Sequence, residues 1–515
     1  MEKRALIAVG LSIIVLVLFS YFMPSPAPVR PPVAPVTTNQ AQPTKKEAEA
    51  SPQTPERPRQ TPTVSILDKD IIVDTDLYTA LISTKGGTVK SWKLKKYTDA
   101  AGAPLDMVVY KESMRPFTVA PDNIPWAEAA GYGYSADASG ITLTGKDESK
   151  TLTLTYTALD GKKIIKAIKF TNGKYELGSE ISVEGYKGYT LYMGESFGSL
   201  TEKAKKGYGF TGPITLVDGE KQKDNPEKIA AQKEYKGKQG WTGITDKYFM
   251  AIIAPDAGID AVVGKGTTDW GYTGVKVGSP KESFLIFIGP KEYDILKTLD
   301  RGLEKAVDFG WFTFIAKPVF IALKFFFGLV HNYGWAIIII TVIIKLIFAP
   351  LTHKSQKSMK RLQKLQPHMA ELKEKYKGDP QKMNMEMMDL YKKHKVNPMG
   401  GCLPMVIQIP VFVALYNVLN NSIELRHAPF MWWLTDLSAK DPYYILPILM
   451  GVSMLVMQKM TPTSLDSTQN RIMMVMPVVM TFMFINLPCG LVLYFTISNL
   501  LSMAQQVYIN KYSKE

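Results

Sequence analysis

Hydrophobic and polar positions divide the chain into zones of different period. Behind Lys3 and Arg4 runs an apolar stretch from Ala5 to Met23, at about 19 residues long enough to span a bilayer. It is long for a signal-peptide core and no clear A-x-A site follows, so residues 1–23 read as an uncleaved signal anchor, with a cleaved signal peptide as the alternative. Residues 24–63, rich in Pro, Ala, Gln and Thr, predict an extended tether. Residues 64–300 turn to short alternating runs such as Thr151-LTLTYTA, Lys163-IIKAIKF and Ser283-FLIFIG. A period of two, broken by Gly-, Asp- and Asn-containing turns, predicts a β-sandwich.

From residue 301 to 330 the chain is aromatic and apolar, with Gly310, Thr313, Lys317 and Lys324 on one helical face. That predicts an amphipathic helix at a membrane interface, with a spanning helix as the alternative. Five apolar segments follow, at 335–351, 402–422, 443–458, 472–487 and 490–508, each read as a membrane span. Between the first two lies a polar stretch, 354–395, in which Met359, Leu362, Leu365, Met369, Leu372 and Tyr376 recur at spacings of three and four. Gly378-Asp379-Pro380 breaks this pattern, and Met383, Met387, Leu390 and His394 resume it. A helical hairpin projecting from the membrane is expected.

Charge supplies the orientation. The formal net charge is +14, and the basic residues gather at Lys3/Arg4, in 354–395, at Lys459/Arg471 and at Lys511/Lys514. The positive-inside rule puts all of these in the cytoplasm. Six spans with both termini cytoplasmic satisfy every loop, and in a Gram-negative cell the β domain is then periplasmic. Basic loops beside a membrane suggest anionic lipid or ribosomal RNA as partners rather than DNA. The two cysteines, Cys402 and Cys489, are expected near opposite faces of the bilayer, too far apart for a disulfide.

One charge lies inside the apolar half: Lys345, in Trp335-AIIIITVII-Lys345-LIFAP. An ammonium group at that depth costs about 2.5–3.5 kcal/mol on insertion scales, and no acidic residue occurs in any later apolar segment to offset it. Thr341 lies one turn earlier on the same face. Gln408 and Asn417 lie in the second span, and Thr496, Ser498 and Asn499 in the last. If these faces converge, they form a polar pocket within the bilayer. The plainer readings are that Lys345 snorkels to a helix end roughly 9 Å away and that the amides and hydroxyls bridge helices. The chain's 25 methionines cluster in the hairpin and in the span at 472–487, either to receive varied apolar partners or to fill gaps. The five histidines form no H-E-x-x-H pair, and no Walker A loop, G-x-S-x-G elbow or metal cluster is visible. No catalytic residue, cofactor or metal is therefore predicted.

Four stretches together carry a family resemblance: Thr341-VIIKLIFAPLT, Val396-NPMGGCLPMVIQIPVFVALYNVL, Leu425-RHAPFMWWLTDLSAKDPYYILPILMG and Asn486-LPCGLVLYFTISNLLSMAQQ. In order and spacing, residues 308–512 resemble the YidC/Oxa/Alb family of membrane protein insertases, in its Gram-negative form. The resemblance implies an α-helical polytopic membrane protein with a five-helix core at 331–512, including the cytoplasmic hairpin 354–395, and a periplasmic β-supersandwich that the family can largely spare. It implies a hydrophilic groove, closed toward the periplasm, with Lys345 as its positive residue, Thr341 and Gln408 as polar neighbours, and Tyr494, Phe495 and Ser498 as substrate-contacting positions. By the same resemblance the hairpin is the loop needed for activity. There the methionine cluster reads Met383, Met387 and Met388 as client contacts. The implied activity is insertion and folding of newly made inner-membrane proteins, alone or beside the Sec translocon, without nucleotide hydrolysis. The partners are nascent membrane proteins, the Sec translocon, anionic lipids and, weakly through cytoplasmic loops, the ribosome.

Two positions depart from the family pattern. The groove cation, usually arginine, is lysine here, which keeps the charge and loses the planar fork. A common Tyr-Tyr pair in the last span is Tyr494-Phe495. The tail Lys511-YSKE is too short for a dedicated ribosome-binding extension. Two other classes make different demands. A transporter with Lys345 as counter-charge needs repeats or broken helices, which the chain lacks. An anchored carbohydrate-binding or hydrolytic protein needs a carboxylate pair from acids such as Asp74, Asp76, Glu195 and Asp260.

Overall fold

The computed structural model describes residues 68–512, except 100, 110–113, 196, 198–209, 267–270, 395, 397–402 and 461–466. The predicted anchor (1–23), the tether (24–63) and Cys402 lie outside the described residues. Strands occupy the chain from Asp70 to Pro290 in sheets of five, nine and five strands. Alternation is plain in Lys163–Thr171, where Ile164, Lys166, Ile168 and Phe170 point inward. Phe249–Pro255 is buried at every position, as its unbroken apolar run requires. Part of the nine-stranded sheet packs on the five-stranded sheet containing Ile259–Gly264 and Tyr272–Val277. The sandwich expected from the period is present.

Lys166 takes an inward position where alternation calls for an apolar side chain. Its amine donates to the carbonyls of Gly86 (2.8 Å), Gly87 (3.1 Å) and Phe117 (2.8 Å) and lies 4.5 Å from the Tyr134 ring centre. Three backbone acceptors that would otherwise be buried without partners are thereby satisfied.

Two short helices, α1 (Trp126–Ala129) and α2 (Tyr293–Thr298), belong to the β domain. The helical part comprises α3 (Thr313–Val330), α4 (Tyr333–Lys364), α5 (Gln366–Lys375), α6 (Pro380–Lys393), α7 (Leu403–Asn421), α8 (Ile445–Met460), α9 (Ser467–Phe484) and α10 (Cys489–Tyr512). A tight reversal joins α3 to α4. His331 adopts a left-handed conformation (φ 52°), Phe327 stacks on Tyr333, and the Asn332 side chain caps α4 by accepting from the Trp335 amide. α10 lies against α4, α7 and α8, α3 against α4 and α7, and α9 against α8.

The outer faces of these helices are apolar. Ile321 and Phe325 of α3, Leu346 of α4, Val452 of α8 and Val479 and Phe482 of α9 are all exposed. A bundle that is apolar outside as well as inside is built for lipid. By length and composition α3 (mean hydropathy 1.8) and α4 (2.3) are each able to cross a bilayer. The apolar stretches Val406–Asn421, Ile445–Met460 and Met474–Phe484 are shorter. α3, expected at the interface, thus meets the length condition for the spanning alternative too.

Two expectations are corrected. The span predicted at 335–351 does not end there: α4 runs unbroken through Pro350 for 32 residues. Against that stretch lies α10, whose Gln505 side chain donates to the Ala349 carbonyl (3.4 Å) and whose Ile509 carbonyl accepts from Lys360 (3.1 Å). A neighbouring helix is what lets a membrane helix tolerate proline. The hairpin's first arm is instead broken at Leu365, because Pro367 starts α5. The hairpin closes on Leu362, Leu365, Met369 and Val396, with Met387 and Tyr391 against them.

Specific polar contacts join the two parts. Arg426, after α7, donates to the Thr98 carbonyl (2.5 Å) and sits 5.4 Å from the Phe249 ring centre. Lys324 pairs with Asp294, and Lys223 with Asp308. Asn417 and Asn421 donate to the carbonyls of Phe309 (3.3 Å) and Asp308 (2.9 Å). Gly310 has φ 70°, and a Cβ there would lie 2.2 Å from the Asn417 amide nitrogen. Gly310→Ala is therefore expected to destabilise this joint by roughly 1–3 kcal/mol, read as earlier proteolysis between the β domain and α3 on warming.

At the same joint, burial pushes the amines of Lys247 and Lys291 down to about 8, and Lys291 donates to the Asp246 carbonyl (2.5 Å). Between that value and the ordinary lysine range near 10.4 the unfolded chain holds more protons on these groups, so their contribution to stability rises with pH. The melting temperature of the β domain is expected to carry this upward component above about pH 8, and Lys291→Met should flatten it. An identical slope in the variant would show that Lys291 ionises normally.

Candidate functional site

α4, α7 and α10 line a small cavity of mixed polar and apolar character. Lining it are Thr341, Ile344, Lys345, Phe348, Leu351 and Thr352 of α4, Ile407, Gln408 and Val411 of α7, and Tyr494 of α10. At about 30 Å³ it has room for roughly two waters at about 10–15 Å³ each. Three helices bring residues from distant parts of the chain to one point.

Lys345 lines the cavity and is tied to α10. Its ammonium donates to the Ser502 hydroxyl of α10 at 2.7 Å, and that hydroxyl donates to the Ser498 carbonyl at 2.9 Å. Gln408 donates to the Ser498 hydroxyl at 3.4 Å. Thr341 is buried and its hydroxyl is spent on its own helix, donating to the Ile337 carbonyl (2.6 Å). The hydrogen bonds and ion pairs of the described residues give Lys345 no carboxylate partner. It lies ten residues along α4 from the exposed Trp335, about 15 Å, and nineteen residues from the end of the helix at Lys364, about 28 Å. The helix runs on to Lys364, but its exposed polar stretch begins at His353 and Lys354, about 12–14 Å from Lys345, so the path that snorkelling requires stays short.

Other residues singled out in the sequence fall elsewhere. Phe495 turns away from the cavity and packs between Phe412 (4.9 Å) and Phe484 (4.8 Å). Asn417 serves the joint to α3, Asn499 donates to Ser453 of α8 (3.3 Å), and Thr496 bonds back to its own helix. Asn499 follows the helix-bridging reading, Asn417 ties α7 to the segment before α3, and Thr496, bonded within α10, bridges nothing among the described residues. In the hairpin Met387 packs inward and Met383 is half-buried, while Met388 and Met385 are exposed. Ser502 was missed in the sequence reading. Its signal was present, one turn beyond Ser498 on the same face.

The four acids of the β domain are engaged separately. Asp74 pairs with Lys95 (2.9 Å), Asp76 accepts from Asn172 (2.7 Å), Asp260 pairs with Lys236 (3.1 Å), and Glu195 accepts from the Met114 amide (3.3 Å). They do not form the close pair a glycosidase would need.

Comparison with known proteins covers both parts. Residues 325–515 match the family described as 60Kd inner membrane protein, and residues 70–322 the YidC periplasmic domain. The protein named membrane protein insertase YidC from Geotalea daltonii is 45% identical over 532 residues, covering 99% of each chain. Its counterpart from Geotalea uraniireducens is 45% identical over 535 residues, again at 99% of each. Among solved structures, one described as an active YidC insertase with the first transmembrane domain resolved aligns at 20% identity and a TM-score of 0.41, over 85% of this chain and 92% of that one.

Proposed function

Because the chain belongs to the YidC family of membrane protein insertases, whose activity is insertion rather than catalysis, we propose that it passes the polar tail of a newly made membrane protein through the cavity around Lys345. One observation carries this reading: a lysine within the apolar part of α4, lining a cavity shared by three helices, with no carboxylate partner among the described residues. A client's acidic tail supplies the missing charge while it crosses. Thr341, Gln408, Tyr494 and Ser498 line its path, and Phe495 supports the wall. A space of about 30 Å³ holds no polypeptide, so a client enters only as α4, α7 and α10 separate.

The driving force needs no nucleotide. Each Leu- or Phe-sized side chain that the client buries in lipid contributes roughly 1.5–3 kcal/mol, and the membrane potential adds about 2.3 kcal/mol per acidic charge per 100 mV. The exposed Met388 and its neighbours receive the client's apolar segment first. In this reading the anchor and five further helices cross the inner membrane, both termini and the hairpin lie in the cytoplasm, and the β domain lies in the periplasm. The basic loops meet anionic lipid and the ribosome, and the Sec translocon is a partner for clients with large soluble domains. Insertion of a short, single-span client into liposomes holding only this protein, without nucleotide, tests the core of it. Protease protection of the tail is expected. Its absence with properly folded protein would favour a role that depends on the translocon.

A further inference from the structure

We infer that Ser502 is a positioning residue, which fixes the Lys345 ammonium at the cavity wall and so completes a recognition element for a client carboxylate. The inference rests on the function just proposed. Ser502 commits its own proton to the Ser498 carbonyl (2.9 Å), so toward Lys345 (2.7 Å) it can only accept. The orientation of this bond is thereby fixed. An ammonium group has three donors. Ser502 takes one, the described residues record no acceptor for the other two, and these remain for an anion in the cavity. Ser498 acts in parallel one turn earlier, accepting from Gln408 of α7. Two serines on one face of α10 therefore fix two polar side chains from two other helices.

Such an anchor matters because lysine has a flexible four-carbon stem. Unanchored, the ammonium turns toward wetter positions along the groove and a carboxylate must bear the cost of bringing it back. Anchored, the charge stands ready, which is the advantage of preorganisation. A serine at this position therefore tunes selectivity for acidic tails, whereas a mere tie between α4 and α10 would affect all clients alike.

The test uses the full-length protein in liposomes and two clients that differ only in carrying an acidic or a neutral tail. Native protein is compared with Ser502→Ala, Ser502→Thr and Lys345→Ala. Ser502→Ala is expected to lower insertion of the acid-tailed client by about ten-fold, the worth of one charge-assisted hydrogen bond. The neutral-tailed client should be unaffected, and Ser502→Thr, which keeps the hydroxyl, should restore the native rate. An equal loss for both clients would make Ser502 a structural tie and overturn the proposal. So would native behaviour of Ser502→Ala where Lys345→Ala is impaired. If Lys345→Ala itself inserts the acid-tailed client normally, the electrostatic reading of the cavity falls first and Ser502 with it.

Discussion

Replacing Lys345 with alanine is expected to reduce insertion of an acid-tailed client by roughly ten- to a hundred-fold, the range spanned by hydrogen bonds to charged groups. A neutral-tailed client should lose far less. The expectation follows from position: the ammonium faces a cavity that lacks a carboxylate, about 15 Å along α4 from Trp335 and so near the middle of a hydrocarbon layer about 30 Å thick. Lys345→Arg keeps the charge and should keep most of the activity, because among the described residues Lys345 makes one hydrogen bond, to Ser502, rather than a paired one. Protection of the tail from added protease reads the native protein and both variants. Equal loss for charged and neutral tails after Lys345→Ala would mean that the side chain holds the helices together and does not act by charge.

The second large effect lies in the β domain and should leave insertion alone. Lys166→Met keeps the bulk of the side chain and removes the donor shared by Gly86, Gly87 and Phe117. Three buried carbonyls lose their partner, at a cost of roughly 3 kcal/mol or more. For a domain of this size that corresponds to about 6–12 °C in melting temperature. Calorimetry of the purified protein measures it. The resemblance implies that this domain can largely be spared, and on that expectation the same variant should insert a single-span client at the native rate. A melting temperature within a degree or two of native would show that the surrounding loops close over the gap.

Much of this architecture was legible in the chain. The period of two in segments such as Lys163-IIKAIKF became the sandwich, and the apolar segments became α7–α10 with ends shifted by a few residues and α4, which runs on well past Leu351. Lys345, Thr341, Gln408, Tyr494 and Ser498 do come together in space. What escaped the sequence depends on through-space contact. Pro350 reads locally as a helix end, yet α10 lies alongside and the helix continues. Pro367, the effective break, looked like one more residue inside a helical period. Phe495 shares a helix with the cavity residues but turns toward Phe412 and Phe484, because adjacent helical positions do not face the same way. Arg426 reaches a carbonyl on Thr98, more than 300 residues away, and no local pattern encodes that pairing. Lys166 is visible only as a violation of the alternation, and its acceptors come from two separate loops.

The central claim is that client tails travel through the cavity among α4, α7 and α10. Site-specific photocrosslinking tests it most directly, with a probe in place of Gln408 inside the cavity and another in place of Phe325, which is exposed on the outer face of α3. During insertion of an acid-tailed client, the tail is expected to crosslink from position 408 and not from 325. Crosslinks to the tail from 325, with none from 408, would contradict the account and place the path of insertion outside the groove.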